Sequence, residues 1–140
     1  MNVLIDTNVI LDILLQREPY HKDAARVGVL SEKGYLHSYI SASAVTDIFY
    51  IARKEVASRE IALGLIKDIL KTIHIAMVTE SNIYEALELK WNDFEDSVQY
   101  VVGKSISADY IITRNAVDFA KGQIKAISPN EFINLVVSQN

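Results

Sequence analysis

Cysteine is absent from the chain, which removes disulfide frameworks, thiolate zinc sites and cysteine nucleophiles together and agrees with a reducing cytoplasm. The five glycines form neither a GxGxxG nor a GxxxxGK pattern, so no phosphate-cradling loop is expected. Proline is scarce: Pro19 and Pro129 both stand where an element can start. Without a linker, a repeat or a low-complexity tract, residues 1–140 are expected to form a single domain. No apolar run approaches the ~20 residues that a membrane-spanning helix needs. A charge arrives at the sixth residue with no basic start before it, so neither a signal peptide nor a membrane association is expected, and the expected location is cytoplasmic. Positive charge is also in deficit. The formal net charge of -4 disfavours a protein that holds nucleic acid chiefly through a basic surface.

Half of the residues are hydrophobic, enough for a packed core at this length. Residues 2–6, 35–40, 73–78, 109–113 and 124–127 are short and rich in Val or Ile, as buried strands are. Between them the apolar spacing turns helical. Val45, Ile48, Phe49 and Ala52 recur at i, i+3, i+4 and i+7. Ile61, Leu65, Ile69 and Ile73 follow four-residue steps, and Phe94, Val98, Val101, Val102 and Ile106 form a third stripe. Two helices are expected between residues 41 and 72. Ser128-Pro129-Asn130-Glu131 pairs a capping box with proline at the first helical position, which predicts a C-terminal helix. Strands alternating with helices make this an α/β protein. The expected architecture is a three-layer, doubly wound parallel sheet of about five strands with flanking helices. Ligands of such sheets bind beyond the carboxyl ends of the strands, where strand order reverses, so acids at those ends carry the functional weight.

Each acid also has a purely structural role open to it. Asp6 ends the run Val3-Leu4-Ile5 and precedes a new apolar segment, so it can cap a helix or present a carboxylate to a hard cation. Asp47 sits within a helix, beside the apolar stripe, where Asp is a poor helix former. Asp93 and Asp96 open the helix that carries Val98, with Asp93 as its cap and Asp96 as capping partner or ligand; Glu95 is expected to point to solvent. Asn115 and Asp118 follow the strand ending Ile111-Ile112-Thr113, with turn chemistry as their alternative. In a doubly wound sheet these segments meet, and three or four acids can converge. Like charges that close raise one another's pKa unless cations neutralise them, so convergence predicts a metal. His21, His37 and His74 lack paired metal-site spacing and receive no role. Tyr35, Tyr39, Tyr50 and Trp91 are assigned to core or interface rather than to base stacking.

Taken together, Val3-Leu4-Ile5-Asp6-Thr7-Asn8, then Asp47, then Asp93-Phe94-Glu95-Asp96-Ser97-Val98-Gln99, then Thr113-Arg114-Asn115 with Asp118-Phe119, resemble the PIN-domain family over the whole chain. The resemblance implies Mg2+- or Mn2+-dependent cleavage of RNA phosphodiesters. It is similar to the VapC-type toxin ribonucleases of toxin–antitoxin pairs, which implies an antitoxin partner and a homodimer. Carried over by position, Asp6, Asp47 and Asp96 are the principal acids, Asp118 or Asn115 completes the metal site, and Asn8 and Thr113 support it. Asp47 stands where a Glu is frequent and Asn115 where an Asp is frequent, which leaves one-metal and two-metal chemistry both open. Lys104 and Arg114, with Lys54, are the cations placed beside RNA. Two other readings stay open: an RNA-processing nuclease outside any toxin–antitoxin pair, and a non-catalytic interaction module. A phosphatase built on a strand-end Asp would want a second Asp at position 8, which is Asn8.

Overall fold

In the computed structural model, residues 1–139 are described. The chain runs β1 (Asn2–Ile5), α1 (Thr7–Leu15), α2 (His21–Glu32), β2 (His37–Ser41), α3 (Ala42–Val56), α4 (Arg59–Ile69), β3 (His74–Ala76), α5 (Glu80–Leu89), α6 (Phe94–Ser105), β4 (Tyr110–Ile112), a 3-10 turn (Ala116–Phe119), β5 (Lys125–Ile127) and α7 (Pro129–Ser138). All five strands are parallel in the order β3-β2-β1-β4-β5, with Leu4 flanked by Tyr39 on one side and Ile111 on the other. Successive strand residues face opposite sides of a sheet, and this alternation builds the three layers. Val3, Ile5 and Ile112 join one core with Ile10, Val27, Ile48 and Phe132. Leu4 and Ile111 join the other with Val98, Val101, Val102 and Phe119. Full burial of each such aliphatic chain contributes about 1.5–3 kcal/mol, which makes the central strands the anchor of everything attached to them.

The five strands, the two helices between residues 41 and 72 and the C-terminal helix agree with the sequence reading. β3 is shorter than the apolar run at residues 73–78 that announced it. Helix ends are set by side chains. Ser41 accepts from the Ser43 amide, Ser58 from Ile61 and Ser128 from Glu131, while Thr79 and Asn82 form a reciprocal capping box. The box expected at Ser128 is half made, since the Glu131 carboxylate takes the Ser128 hydroxyl at 3.3 Å. Two stripe residues are corrected: Ile61 is 55% and Phe94 46% exposed. Phe94 is the first residue of α6, directly after its cap Asp93, and lies ahead of the turns that touch the sheet. Those turns approach closely at Gly103, where a Cβ would stand 3.2 Å from Ile124 Cδ1 and 3.7 Å from Leu4 Cδ2. That approach fixes α6 against the carboxyl half of β1.

Candidate functional site

β1 lies between β2 and β4, so the order of strands reverses at its edge and the turns leaving β1 and β4 flank one crevice. Asp6 occupies the first turn. Its backbone amide donates to the Ile112 carbonyl at 2.9 Å, which extends the β1–β4 pairing to the base of the site. The carboxylate is only 6% exposed and is held from three sides. The Thr7 amide donates to Oδ1 at 2.8 Å, Gln99 Nε2 to Oδ1 at 2.9 Å, and the Thr113 hydroxyl to Oδ2 at 2.7 Å. Thr113 Oγ1 in turn accepts from the Asn115 amide at 3.0 Å. Asp6 therefore caps α1 and also presents a fixed carboxylate; the two roles proposed from sequence coexist.

A cavity of about 380 Å3 opens above it, lined by Asp6, Thr7, Asn8, Asp47, Tyr50, Ile51, Asp93, Glu95, Asp96, Gln99, Asn115 and Asp118. Six of these side chains are acidic and none is Lys or Arg. Burial, ahead of the charges of Asp93, Asp6, Asp118 and Glu95, pushes the Asp96 carboxyl up to about 7. Glu95 is raised too, first by burial and then by the charge of Asp47 and a hydrogen bond with it, with Asp93 and Asp6 adding. The carboxylates thus act on one another across the cavity, and among the described residues no Lys or Arg lines it, although Lys121 lines an adjoining pocket with Asp93, Asp96 and Asp118. Oxygen donors in excess of charge compensation are the donor set of a hard divalent cation.

Of the residues singled out from sequence, the structure brings Asp6, Asn8, Asp47, Asp96, Asn115 and Asp118 to this one cavity. Thr113, fully buried, lies beneath it and bonds Asp6. Asp93 caps α6 as expected, its Oδ1 accepting from the Asp96 amide at 3.0 Å. Of the three cations assigned to RNA, Lys54 lines a neighbouring cleft, and Lys104 and Arg114 lie elsewhere. Lys104 Nζ pairs with Glu85 Oε2 at 2.7 Å and sits over the Tyr100 ring, in a cleft with Met1 and Tyr110 at the amino ends of the strands. Arg114 turns back toward α1: its Nε lies 3.0 Å from Asp12 Oδ2, and its guanidinium rests 3.9 Å from the Tyr20 ring centre. Glu95 is exposed, as expected, but it also lines the cavity. Position 95 precedes Gln99 by one helical repeat of four, a spacing that places both on one side of α6. Tyr35 and Tyr50, expected in the core or at an interface, are 69% and 64% exposed, and Tyr50 forms part of the cavity wall.

Gln99 and Asp12 went unassigned in the sequence. Gln99 stands three residues after Asp96 among Val98, Tyr100 and Val101, all buried, so a polar residue there needs a partner, and Asp6 is that partner. Asp12 interrupts the apolar α1 with a fully buried carboxylate, whose counter-charge is Arg114.

Solved structures share this architecture. VapC20 of Mycobacterium tuberculosis, described as a sarcin-ricin loop cleaving toxin, superposes with a TM-score of 0.70 at 15% identity, over 86% of this chain and 95% of that one. VapBC2 of Rickettsia felis, bound to a fragment of promoter DNA, gives 0.68 at 13% identity, over 91% and 98%. In sequence, ribonuclease VapC1 of Aquifex aeolicus is 26% identical over 135 residues, 93% of this chain and 92% of that relative. The sequence model of the PIN domain matches residues 2–116. With β1, α3, α6 and β4 all inside that match, the chain belongs to the PIN domain family.

Proposed function

We propose that this protein is a ribonuclease that uses Mg2+ or Mn2+ in the Asp6 cavity, and that it serves as the toxin of a toxin–antitoxin pair. The observation that carries the reading is the meeting of six acidic side chains, from the β1 end, α3, the α6 start and the turn after β4, at one cavity without a protein cation. Among the described residues no group of three His, Asp or Glu side chains is already arranged to hold an ion. The residues nonetheless fit one by their chemistry: all the donors are oxygens, and the raised Asp96 and Glu95 carboxyls mark negative charge in excess. Asp6, Asp47, Asp96 and Asp118 would hold one or two ions, with Asn8 and Asn115 as neutral oxygen donors. When bound, such a cation offsets charge developing on an RNA phosphate and favours in-line attack by water.

The chain's own part is positioning. Gln99, Thr113 and the Thr7 amide fix both Asp6 oxygens, and α6 sets Asp96 beside them. Glu95, hydrogen-bonded to Asp47 and raised in pKa, can hold a proton at the cavity edge. The toxin assignment draws support from the VapC name of the Aquifex relative and from the toxin and toxin–antitoxin titles of the structural neighbours. An antitoxin covering the cavity and a homodimer follow from that assignment. No helix among the described residues is long and apolar enough to cross a membrane.

Purified protein is expected to cleave single-stranded RNA when Mg2+ or Mn2+ is supplied and to stop on chelation. Asp6→Asn, folded by circular dichroism, is expected to lose at least 100-fold in rate, on the order of an electrostatic group acting at the transition state. Undiminished metal-dependent cleavage by Asp6→Asn would overturn the site. A melting temperature indifferent to both ions would favour a non-catalytic module.

A further inference from the structure

Beside the acidic cavity lies a second cleft, of about 710 Å3, lined by Tyr50, Ile51, Arg53, Lys54, Ser58 and Arg59 with Ala57 at the α3–α4 turn. The two cavities share Tyr50 and Ile51 as a common wall. Their lining differs in sign: six acids and no Lys or Arg on one side, three cations and no acid on the other. We infer that this cleft is the binding track for single-stranded RNA leaving the carboxylate cavity, with Tyr50 as a base-stacking platform between them. The inference rests on the nuclease reading of the Asp6 cavity.

α3 itself carries the argument. Asp47, Tyr50, Ile51 and Lys54 stand at i, i+3, i+4 and i+7, so one stripe of the helix runs from a carboxylate, past an exposed aromatic ring, to an ammonium over about 10 Å. The stripe of Ala44, Ile48 and Ala52 is buried on the core and leaves this one free. Tyr50 is 64% and Ile51 37% exposed, which leaves an aromatic ring and an aliphatic chain in water between the two cavities. Among the described residues no carboxylate pairs with Arg53 or Lys54, and Arg59 has only Glu60 at 3.9 Å. On a protein of net charge -4, a local cationic surface beside the acidic cavity is where an RNA strand gains affinity from the chain's own side chains. Aromatic faces interleaved with cations are the chemistry by which single strands are held without regard to sequence.

The test is equilibrium binding of a fluorescent single-stranded RNA oligonucleotide in Mg2+, in an Asp6→Asn background, with salt varied. Arg53→Gln, Lys54→Gln and Arg59→Gln together are expected to weaken binding at least ~10-fold and to lower the dependence of log K on log salt by about 2. Tyr50→Leu alone is expected to weaken it about 10-fold with the salt dependence kept, because stacking releases no counterions. An unchanged affinity and salt slope in the triple variant overturns the track. So does an altered oligomeric state in that variant with RNA binding intact, which would give the cleft to a second copy. Wild-type cleavage is measured in parallel: its absence removes the nuclease reading, while the track is decided by binding alone.

Discussion

Gln99 reaches across 93 positions of sequence to donate its side-chain amide to Oδ1 of Asp6 at 2.9 Å, and both residues are buried. Neither geometry nor charge leaves Asp6 free to choose its orientation. Hydrogen bonds from α6, from the first turn of α1 and from the end of β4 meet on one carboxylate, so the site depends on three separate segments keeping their places.

Gln99→Leu keeps the volume near that of Gln and removes the donor. An amide bonded to a carboxylate is worth about 1.5–3 kcal/mol, so the Asp6 carboxylate should rotate and its hold on a cation weaken. The expected outcome is a 10- to 100-fold loss in metal affinity or cleavage rate, the range found for groups that orient metal ligands, with the melting temperature changed by only a few degrees. Cleavage titrated with Mg2+ reads this directly. Equal half-saturation and rate in variant and wild type would show that Gln99 is only a packed polar residue.

Thr113 can be separated from its neighbours by chemistry alone. Its hydroxyl gives its proton to Asp6 Oδ2 and its lone pair to the Asn115 amide, tying the floor of the cavity to the loop that carries Asp118. Thr113→Val keeps shape and loses both bonds, leaving the Asn115 amide without that partner and the Asp6 oxygen half-satisfied. We predict a destabilisation of about 1–3 kcal/mol and at least a 10-fold loss of cleavage, with Thr113→Ser close to wild type. Denaturant melts and rate assays on the pair of variants check it; similar behaviour of Val and Ser would exclude the hydroxyl.

Much of this arrangement could be read in the chain. The strands showed in their Val and Ile content, and the position of Asp6 at a strand end was enough to aim it at the crevice, because strand ends point there in any doubly wound sheet. Asp118, in the turn after β4, was legible for the same reason, whereas Asp47 and Asp96 lie inside helices and were placed by the family resemblance. Partner choice was not. Arg114 follows Thr113 directly and looked placed for RNA, yet the backbone after β4 turns it toward α1, where a fully buried carboxylate outcompetes solvent for it. Lys104 is ten residues from Phe94, at the far end of α6 from the site, a distance that helix rise alone disclosed. Glu95 is solvent-exposed as read, but its place on the cavity wall was hidden because a first-turn acid already has a dipole explanation. Gln99 left a signal in the form of a polar residue inside an apolar flank, but its partner is set only by tertiary packing.

The pair of Asp12 and Arg114 is predicted to be structural. Burial raises the Asp12 carboxyl, and Arg114, Arg17 and His21 oppose that rise. Removing Arg114 leaves a carboxylate of 0% exposure without its nearest counter-charge, which costs about 3–5 kcal/mol. Arg114→Met should therefore melt well below wild type at neutral pH and recover toward acid pH, where Asp12 takes up a proton. Asp12→Asn in the same chain should restore part of the loss, because it removes the unpaired charge. RNA affinity and its salt slope, measured on the folded fraction, should stay at wild-type values; a slope lowered by about 1 would return Arg114 to the nucleic acid.

Asp96 makes the metal-free protein sensitive to pH in a direction opposite to that of most carboxylates. Its folded value of about 7 lies above the ordinary 3.8, so between these limits the folded chain holds a proton that the unfolded chain has released. Stability from this group is complete below pH 3.8 and is lost as pH rises through 7. Undiluted, a rise of that size would correspond to about 4 kcal/mol; solvent reaching the partly exposed side chain reduces it to on the order of 1–2 kcal/mol. In EDTA, Asp96→Asn should melt a few degrees above wild type near pH 8 and approach it near pH 5, while losing metal-dependent cleavage. Adding Mg2+ at pH 8 should lift wild type and leave Asp96→Asn nearly where it was, because an ion that binds only the folded state stabilises it through the carboxylate the variant lacks. Parallel melting profiles for the two proteins from pH 5 to pH 8, with and without Mg2+, would show that Asp96 neither carries the excess charge of the cavity nor meets the cation.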